Sequence, residues 1–390
     1  MGVPTVAQVR SWAGLDVHAA TVVAAWVDGR SGELRFQRLL GVTREVVRFC
    51  RGLAGPVKVA YEAGPSGFGL ARELAAVGIE CVVAAPGKIA RAPQDRVKTD
   101  RRDAERLVRL LMAGELHAVR VPGVAEEALR DLVRAREDVR GDLMRARHRV
   151  GKLLLRHDVR FEGNHWTRAH RDWLAGLTLS EPVAQAVLED GVGAIDALVV
   201  RRDALERRMT ALVPRSPWAE EIARLRCLHG IDTLTALGLC AEIGDFGRFR
   251  RPGQLMSYLG LVPSENTTGE KRRQGSITKS GSQHARRLLV EAAWHYRRAP
   301  RVGRELARRQ DGQPQHVTAI SWQAQRRLHR TWQRLDPARQ AANDRRGRGR
   351  GRARRLLLGG HDRRLTRHST SWSRRRRDRP LRASASAIQL

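Results

Sequence analysis

The strongest constraint on the fold is the order in which apolar segments change period over the first 111 residues. Val9–Val17 (VRSWAGLDV), Thr21–Val27 (TVVAAWV) and Leu34–Leu39 (LRFQRL) are short strand-like runs parted by turns, the clearest being Asp28-Gly29-Arg30-Ser31-Gly32. Thr43–Leu53 switches to helical spacing at Val46, Val47, Phe49 and Cys50. Val57–Tyr61 (VKVAY) is a buried-strand run, broken after Glu62 by Ala63-Gly64-Pro65. Phe68–Val77 reads as a helix closed by Gly78, and Ile79–Ala85 (IECVVAA) as a strand. A further helix starts near Asp100, with Ala104, Leu107, Val108, Leu110 and Leu111 at helical spacing. A β-β-β-α-β-α-β-α order predicts an α/β sheet with helices packed on it.

Acidic residues fall at informative points of that order. Asp16 lies on the first strand and Glu62 ends the fourth. Asp100 and Asp103 open the last helix within Lys98–Leu107 (KTDRRDAERL), and residues three apart on a helix sit roughly 5–6 Å apart at Cβ. Strand ends and a helix start can converge at one edge of such a sheet. Four carboxylates gathered there would repel one another unless a hard cation such as Mg²⁺ neutralised them. Two divalent ions about 3.5–4 Å apart can clamp the attacking and leaving oxygens of a phosphodiester. Flanking Lys98, Arg101 and Arg102 suit a phosphate-bearing partner. Each acid also has an ordinary reading, as a turn residue, a strand-end acid or a charged helix start.

The charge balance points the same way. The 390 residues carry a formal net charge of +32, which calls for a polyanion, most simply nucleic acid. Residues 301–390 hold 25 Arg against six acids, yet the rest of the chain is still basic at +13. Lys occurs six times against 67 Arg, a skew that a G+C-rich gene explains. Cys50, Cys81, Cys227 and Cys240 are scattered without a CxxC, which argues against a disulfide framework or a cysteine zinc site. No signal peptide and no membrane-spanning apolar run is evident, so the expected location is the cytoplasm, at the nucleoid.

Residues 124–160 read as a long basic helix with a coiled-coil-like seam at Leu129, Leu132, Arg136, Val139, Leu143, Ala146, Val150 and Leu153, polar at Arg136. Gly141 and Gly151 count against it. A second charged helical stretch covers Ile195–Leu212. Trp166, His170 and Trp173 between the two helices could stack on bases or simply pack. Leu225–Ile243 is either a helix-hairpin-helix offering amides to phosphate or an ordinary helical hairpin. Pro252–Leu261 is a short helix. Leu261–Trp294 opens as a polar, Gly-rich, basic loop and closes as an amphipathic helix, with Lys271, Arg272, Arg273, Lys279, Arg286 and Arg287 around several hydroxyls. His284 suits proton transfer or a phosphate contact.

Three motifs, GLDVH (14–18), YEAG (61–64) and KTDRRDAERL (98–107), resemble those of the DEDD transposases of the insertion sequence one-hundred-ten family. The element order likewise resembles an RNase H/RuvC-like nuclease fold. The resemblance implies that Asp16, Glu62, Asp100 and Asp103 form a catalytic metal-binding tetrad. It also implies that a hydroxyl just before the Gly of the C-terminal loop attacks DNA and links to it covalently. The matching slot reads Thr267-Thr268-Gly269 where the family commonly shows Ser; Thr267 is the expected nucleophile, with Ser264, Thr268 and Ser276 open. Thr can serve, although its methyl stiffens χ1. Family members use an element-encoded guide RNA and assemble as oligomers, so DNA, guide RNA and further copies of the chain are the implied partners. The expected organisation is a RuvC-like α/β catalytic domain at 8–118, a helical coiled-coil-like spacer at 119–215, a mainly α transposase domain at 216–340 and an Arg-rich disordered tail at 341–390. That tail lacks a core pattern and reads as an out-of-frame extension after about Asp344, which would mark a decayed copy. Two other functions stay open: a metal-dependent junction-resolving nuclease that uses water, and an inactive copy that only binds nucleic acid.

Overall fold

The computed structural model describes residues 9–90, 99–269 and 273–335; Lys98, Lys271, Arg272 and the tail from 341 lie outside these. Strand β1 (Ser11–Val17) is the centre of a five-stranded sheet. β2 (Thr21–Asp28) and β3 (Leu34–Leu40) follow as antiparallel hairpins, since only short turns separate them. β4 (Val57–Glu62) and β5 (Glu80–Ala84) lie parallel on the other side, joined through α1 (Thr43–Gly52) and α2 (Gly69–Ala76). The order across the sheet is β3-β2-β1-β4-β5. Each predicted strand is present, with ends shifted by one or two residues. One feature has no periodic signal: after the last helix the chain returns along β5, where the Ala85 amide donates to the His117 carbonyl and the Val119 amide to the Val83 carbonyl. That return covers an edge strand.

The two faces of the sheet bury different elements. Ala13, Leu15, Val22, Ala24, Val59 and Tyr61 pack with Val46, Cys50, Leu70 and Leu74 of α1 and α2. The opposite face packs Ala25 and Val27 against Ala104 and Val108 of α3 (Asp100–Ala113). Here Gly14 matters. A methyl added to it would meet the Val108 amide nitrogen at 2.5 Å and Leu107 Cβ at 2.9 Å, and would overlap the Ala104 carbonyl. The helix therefore rests on bare backbone. The Thr99 hydroxyl caps it by accepting the Arg102 amide at 3.3 Å, and Gly114, at φ +71°, ends it.

The chain divides into two compact units, residues 1–123 and 124–390. The second begins with α4 (Val124–Arg156), an unbroken helix despite Gly141 and Gly151. It pairs antiparallel with α6 (Pro182–Leu212): Arg136 Nε donates to Glu206 Oε1 at 2.9 Å, and fourteen residues on, Val150 meets Gly191. The polar position in the predicted seam is thus an ion pair with the partner helix. Val133 is buried where Leu132 was expected to lead, and Leu132 packs only partly. Beyond the α4 end, Phe161, Trp166 and Trp173 crowd around His170 of α5 (Arg168–Ala175), whose ring accepts the Trp166 amide at 3.2 Å. His170 is fully buried, and Trp166 and Trp173 pack half-buried against the core between α4 and α6.

The remainder of this unit is mainly helical. α7 (Ala219–Leu225) and α8 (Thr233–Ile243) are joined through Gly230 at φ +82°. α8 is apolar over most of its circumference, Glu242 near its end excepted, and is buried at Ala236, Leu237, Leu239, Cys240 and Ala241, which makes it the centre of this region's core. Its first turn is capped by the Asp232 carboxylate, which accepts the Thr235 amide at 2.8 Å. A carboxylate there repels phosphate, so the geometry matches an ordinary helical hairpin. α9 (Pro252–Tyr258) follows. The polar loop expected next contains a two-stranded hairpin, β6 (Pro263–Glu265) with β7 (Gln274–Ile277), which small polar residues conceal from pattern reading. α10 (Gln283–Trp294), α11 (Arg304–Gln310) and α12 (Gln315–Leu335) close the described chain. No helix among the described residues is long and apolar enough to cross a membrane.

Candidate active site

Strand alternation sets the first half of the site. Leu15 and Tyr61 are paired across the parallel β1/β4 ladder and face α1 and α2. Asp16 and Glu62, one residue on, therefore sit on neighbouring strands and on the other face, the one carrying α3. Because α3 lies directly on Gly14, its first turn reaches the same sheet edge. Asp16, His18 and Asp100 each offer a ligand atom within 4.8 Å of the others'. His18 Nε2 lies 3.2 Å from Asp16 Oδ2 and 3.6 Å from Asp100 Oδ1. Asp103, buried one turn further along α3, is bonded to Arg106 Nη1 at 2.7 Å.

Electrostatics mark the cluster as a place of accumulated negative charge. Burial pushes the Asp16 carboxyl above its ordinary value; His18 opposes this, and Asp100 and Asp103 add to it. A carboxylate whose charge is disfavoured by neighbouring carboxylates is relieved by a cation. The donor set of carboxylates with one imidazole therefore fits a divalent metal. Sequence reasoning missed His18. Its signal was the Asp16-x-His18 spacing, since residues two apart at a strand end share a face.

The basic residues divide into two groups. Arg101 is exposed and stacks over the Phe36 ring of β3, 4.0 Å from its centroid. Arg102 is exposed beside it. In the second unit Arg273 and Lys279 are exposed on the hairpin and the turn after it, with Lys279 at φ +57°. Arg286 is spent inside the fold. It donates to the carbonyls of Leu259 at 3.0 Å and Gly281 at 3.1 Å, and also to that of Ser280. Arg287 binds Glu137 and Glu291, both at 2.6 Å. His284 lies between Glu242 at 3.4 Å and Glu137 at 3.6 Å. Burial pushes the Glu242 carboxyl up, but hydrogen bonds from His284 and Arg134 outweigh it and hold it down at about 2. This network joins α4, α8 and α10.

The Thr267 hydroxyl donates to Glu265 Oε1 at 2.9 Å, and Gln274 Nε2 lies 3.4 Å from the other carboxylate oxygen. The Ser264 hydroxyl donates instead to the Ser276 carbonyl at 3.0 Å. Thiol nucleophiles are poorly supported: burial pushes Cys50 and Cys81 up to about 12.

The DEDD transposase domain model matches residues 13–157, and the model described as the transposase IS116/IS110/IS902 family matches residues 222–308. A Sinorhizobium fredii protein bearing the name "Putative transposase y4qE" is 39% identical over 324 residues, covering 82% of this chain and 80% of its own. The transposase for insertion sequence element IS1533 of Leptospira borgpetersenii is 31% identical over 337 residues, covering 84% of this chain and 97% of its own. A DEDD domain implies use of a divalent metal, and the donor set at the sheet edge is of the kind such a metal takes. From the fold, the acidic edge and these matches together, the chain belongs to the IS110 family of DEDD transposases, the DNA recombinases of insertion sequences.

Proposed function

We propose that this transposase cuts and rejoins DNA at the ends of its insertion sequence by phosphodiester strand transfer, with Asp16, Glu62, Asp100 and Asp103 as the metal-binding acids and Thr267 as the nucleophile. The observation that carries the reading is the gathering of Asp16 and Asp100 with an imidazole at the edge of the DEDD domain's sheet. Mg²⁺ is the proposed cation, as a hard ion preferring carboxylate oxygen. When bound it supplies charge stabilisation to the oxygens exchanged at phosphorus. The protein's own share is to hold the acids on rigid elements and to offer the hydroxyl.

Exposed Arg101, Arg102, Arg273 and Lys279 are the proposed phosphate contacts, together with Lys98, Lys271 and Arg272. Arg286 and Arg287, by their internal bonds, act instead as braces: Arg286 ties α10 to the end of α9 and to the turn at Ser280 and Gly281, and Arg287 ties α10 to α4. A guide RNA is supported by the family resemblance and by the net charge of +32. Exposed Val183, Val187 and Val200 on α6 support a role for the helical spacer in joining copies of the chain. DNA as substrate puts the protein at the nucleoid in the cytoplasm.

The test is strand transfer by purified protein with its native element ends and flanking RNA. Mg²⁺-dependent joined product and a detergent-resistant protein–DNA adduct are expected, both lost in Asp103→Ala. Cleavage without any adduct would favour the water-using nuclease. Joined product unchanged in Asp103→Ala would refute the metal assignment.

A further inference from the structure

We propose that the aromatic cavity at the C-terminal end of α4 takes one unpaired base of the DNA substrate. The cavity, about 290 Å³, is lined by Gly151 and Leu155 of α4 and by Phe161, Trp166 and Trp173 from the loop after α4 and from α5. Rings that only fill a core leave few voids larger than a water molecule. This void is close to the lower end, about 300 Å³, of cavities that hold small ligands. Its α4 flank is open: a methyl on Gly151 would meet nothing within 4 Å, and Leu155 is 50% exposed. Trp166 is also held at φ +65°, a left-handed conformation costly for so bulky a residue. The bond from its amide to the buried His170 ring keeps it there. Strain of this kind persists where the surrounding structure over-determines a side chain's placement, as at ligand clamps.

The lining selects the ligand by its chemistry. Among the described residues no carboxylate lines the cavity, and the Arg147 guanidinium lies over the Trp166 ring at 5.0 Å from its centroid, so a cationic ligand is disfavoured. What suits the space is a flat, neutral ring attached to an anionic chain. Flat rings stack on indole and phenyl faces whatever their base identity. Exposed His165 adds a polar edge to the lining that a base can hydrogen-bond. The rim is basic: Arg160 lines it, and Lys152 and Arg156, each next in sequence to a lining residue of α4, are exposed. Asp158 lies 3.2 Å from Arg160, in an exposed pair that solvent screens. DNA is the occupant because the exchange of strands takes bases out of one duplex before they pair in another. The family's own reaction therefore produces unpaired bases, and it does so without regard to which residue is the nucleophile.

The experiment measures binding of the full-length protein to oligodeoxythymidylate, which forms no duplex of its own, and maps ultraviolet cross-links from its 5-iodouracil form by mass spectrometry. Cross-links are expected at Phe161, His165, Trp166 or Trp173. Gly151→Leu fills the cavity from its open flank, and because Leu is a better helix former than Gly the variant should melt no earlier than wild type. It should bind the single strand about 5–150-fold more weakly, the worth of one stacked base, and lose the cross-links. The loss should persist at high salt, since stacking, unlike phosphate contact, releases no counterions. Trp166→Gly, which removes the ring and accepts the positive φ, should show the same loss. Fully paired DNA should bind both variants as it binds wild type. Wild-type affinity of Gly151→Leu for the single strand, cross-links confined to other parts of the chain, or an equal loss on paired DNA would overturn the pocket. A loss on oligouridylate RNA without one on the DNA strand would overturn DNA as the occupant. Neither metal binding nor adduct formation is read, so these results leave the metal and nucleophile assignments to their own test.

Discussion

The contact between Gly14 and α3 is the point where a single methyl group should separate fold from function. Gly14 has ordinary backbone torsions, so Ala is conformationally allowed there. The obstacle is space: the new Cβ would lie 2.5 Å from the Val108 nitrogen and 2.9 Å from Leu107 Cβ, and would overlap the Ala104 carbonyl. Ordinary contact needs about 3.5–4.0 Å between carbons, so α3 must move away by roughly 1 Å. Overpacking of that size costs about 1–3 kcal/mol, which in a domain of this size lowers Tm by several degrees. The functional loss should be larger than the stability loss. Asp100 and Asp103 ride on α3 while Asp16 stays on β1, and a 1 Å misplacement can cost about 10²-fold in rate. Gly14→Ala should therefore fold, melt earlier, and show weakened Mn²⁺ or Mg²⁺ binding by calorimetry with strand cleavage down about 10²-fold. Gly69→Ala is the control. It adds a methyl in the same domain with nothing within 4 Å, and should be neutral or stabilising by about 0.5–1 kcal/mol. A Gly14→Ala protein with wild-type Tm and metal affinity would refute the claim that close helix–strand approach sets the site.

Three further outcomes follow from the same chemistry. Asp16→Asn should raise the metal-free Tm at neutral pH and abolish the Tm increase on adding metal: the folded pKa of Asp16 is raised, so its charge costs stability once pH exceeds that value, and the gain should vanish in acid, where the carboxyl is protonated. For Glu242 the sign reverses. Its folded pKa of about 2 against an ordinary 4.5 is worth roughly 3 kcal/mol above the ordinary value, lost as pH falls from 4.5 to 2, so Glu242→Gln should destabilise at pH 7 with the difference shrinking in acid denaturation curves. Arg136→Met should cost about 1.5–3 kcal/mol in urea unfolding by leaving Glu206 unpaired in a half-buried seam, whereas the double variant Arg136→Met/Glu206→Leu should recover most of it.

Much of the first unit could be read from the amino acids because its elements alternate cleanly. The period changes at Thr43, Val57 and Phe68, together with hairpin turns at Asp28–Gly32, leave few ways to arrange strands and helices. The second unit was harder. The β6/β7 hairpin is built from PSE and QGSI, which carry no apolar alternation, and α8 is apolar over most of its circumference, so periodicity could not say which face it buries. The arginines show the same limit: Arg101 and Arg286 look alike in a row of basic residues, yet one lies exposed over the half-buried Phe36 ring and the other is consumed by three carbonyls.

The amino-acid order alone determined the α/β character of the first domain, the family motifs and the identity of the candidate acids. These depend on local periodicity and on residue type, which a linear chain carries in full. Tertiary structure alone decided that Asp100 reaches Asp16 and His18, that α3 rests on the bare backbone of Gly14, and that Arg136 meets Glu206 across the α4/α6 pair. Those partnerships are distances of a few ångströms set by how one element rests on another, and packing of that kind leaves no periodic trace in sequence.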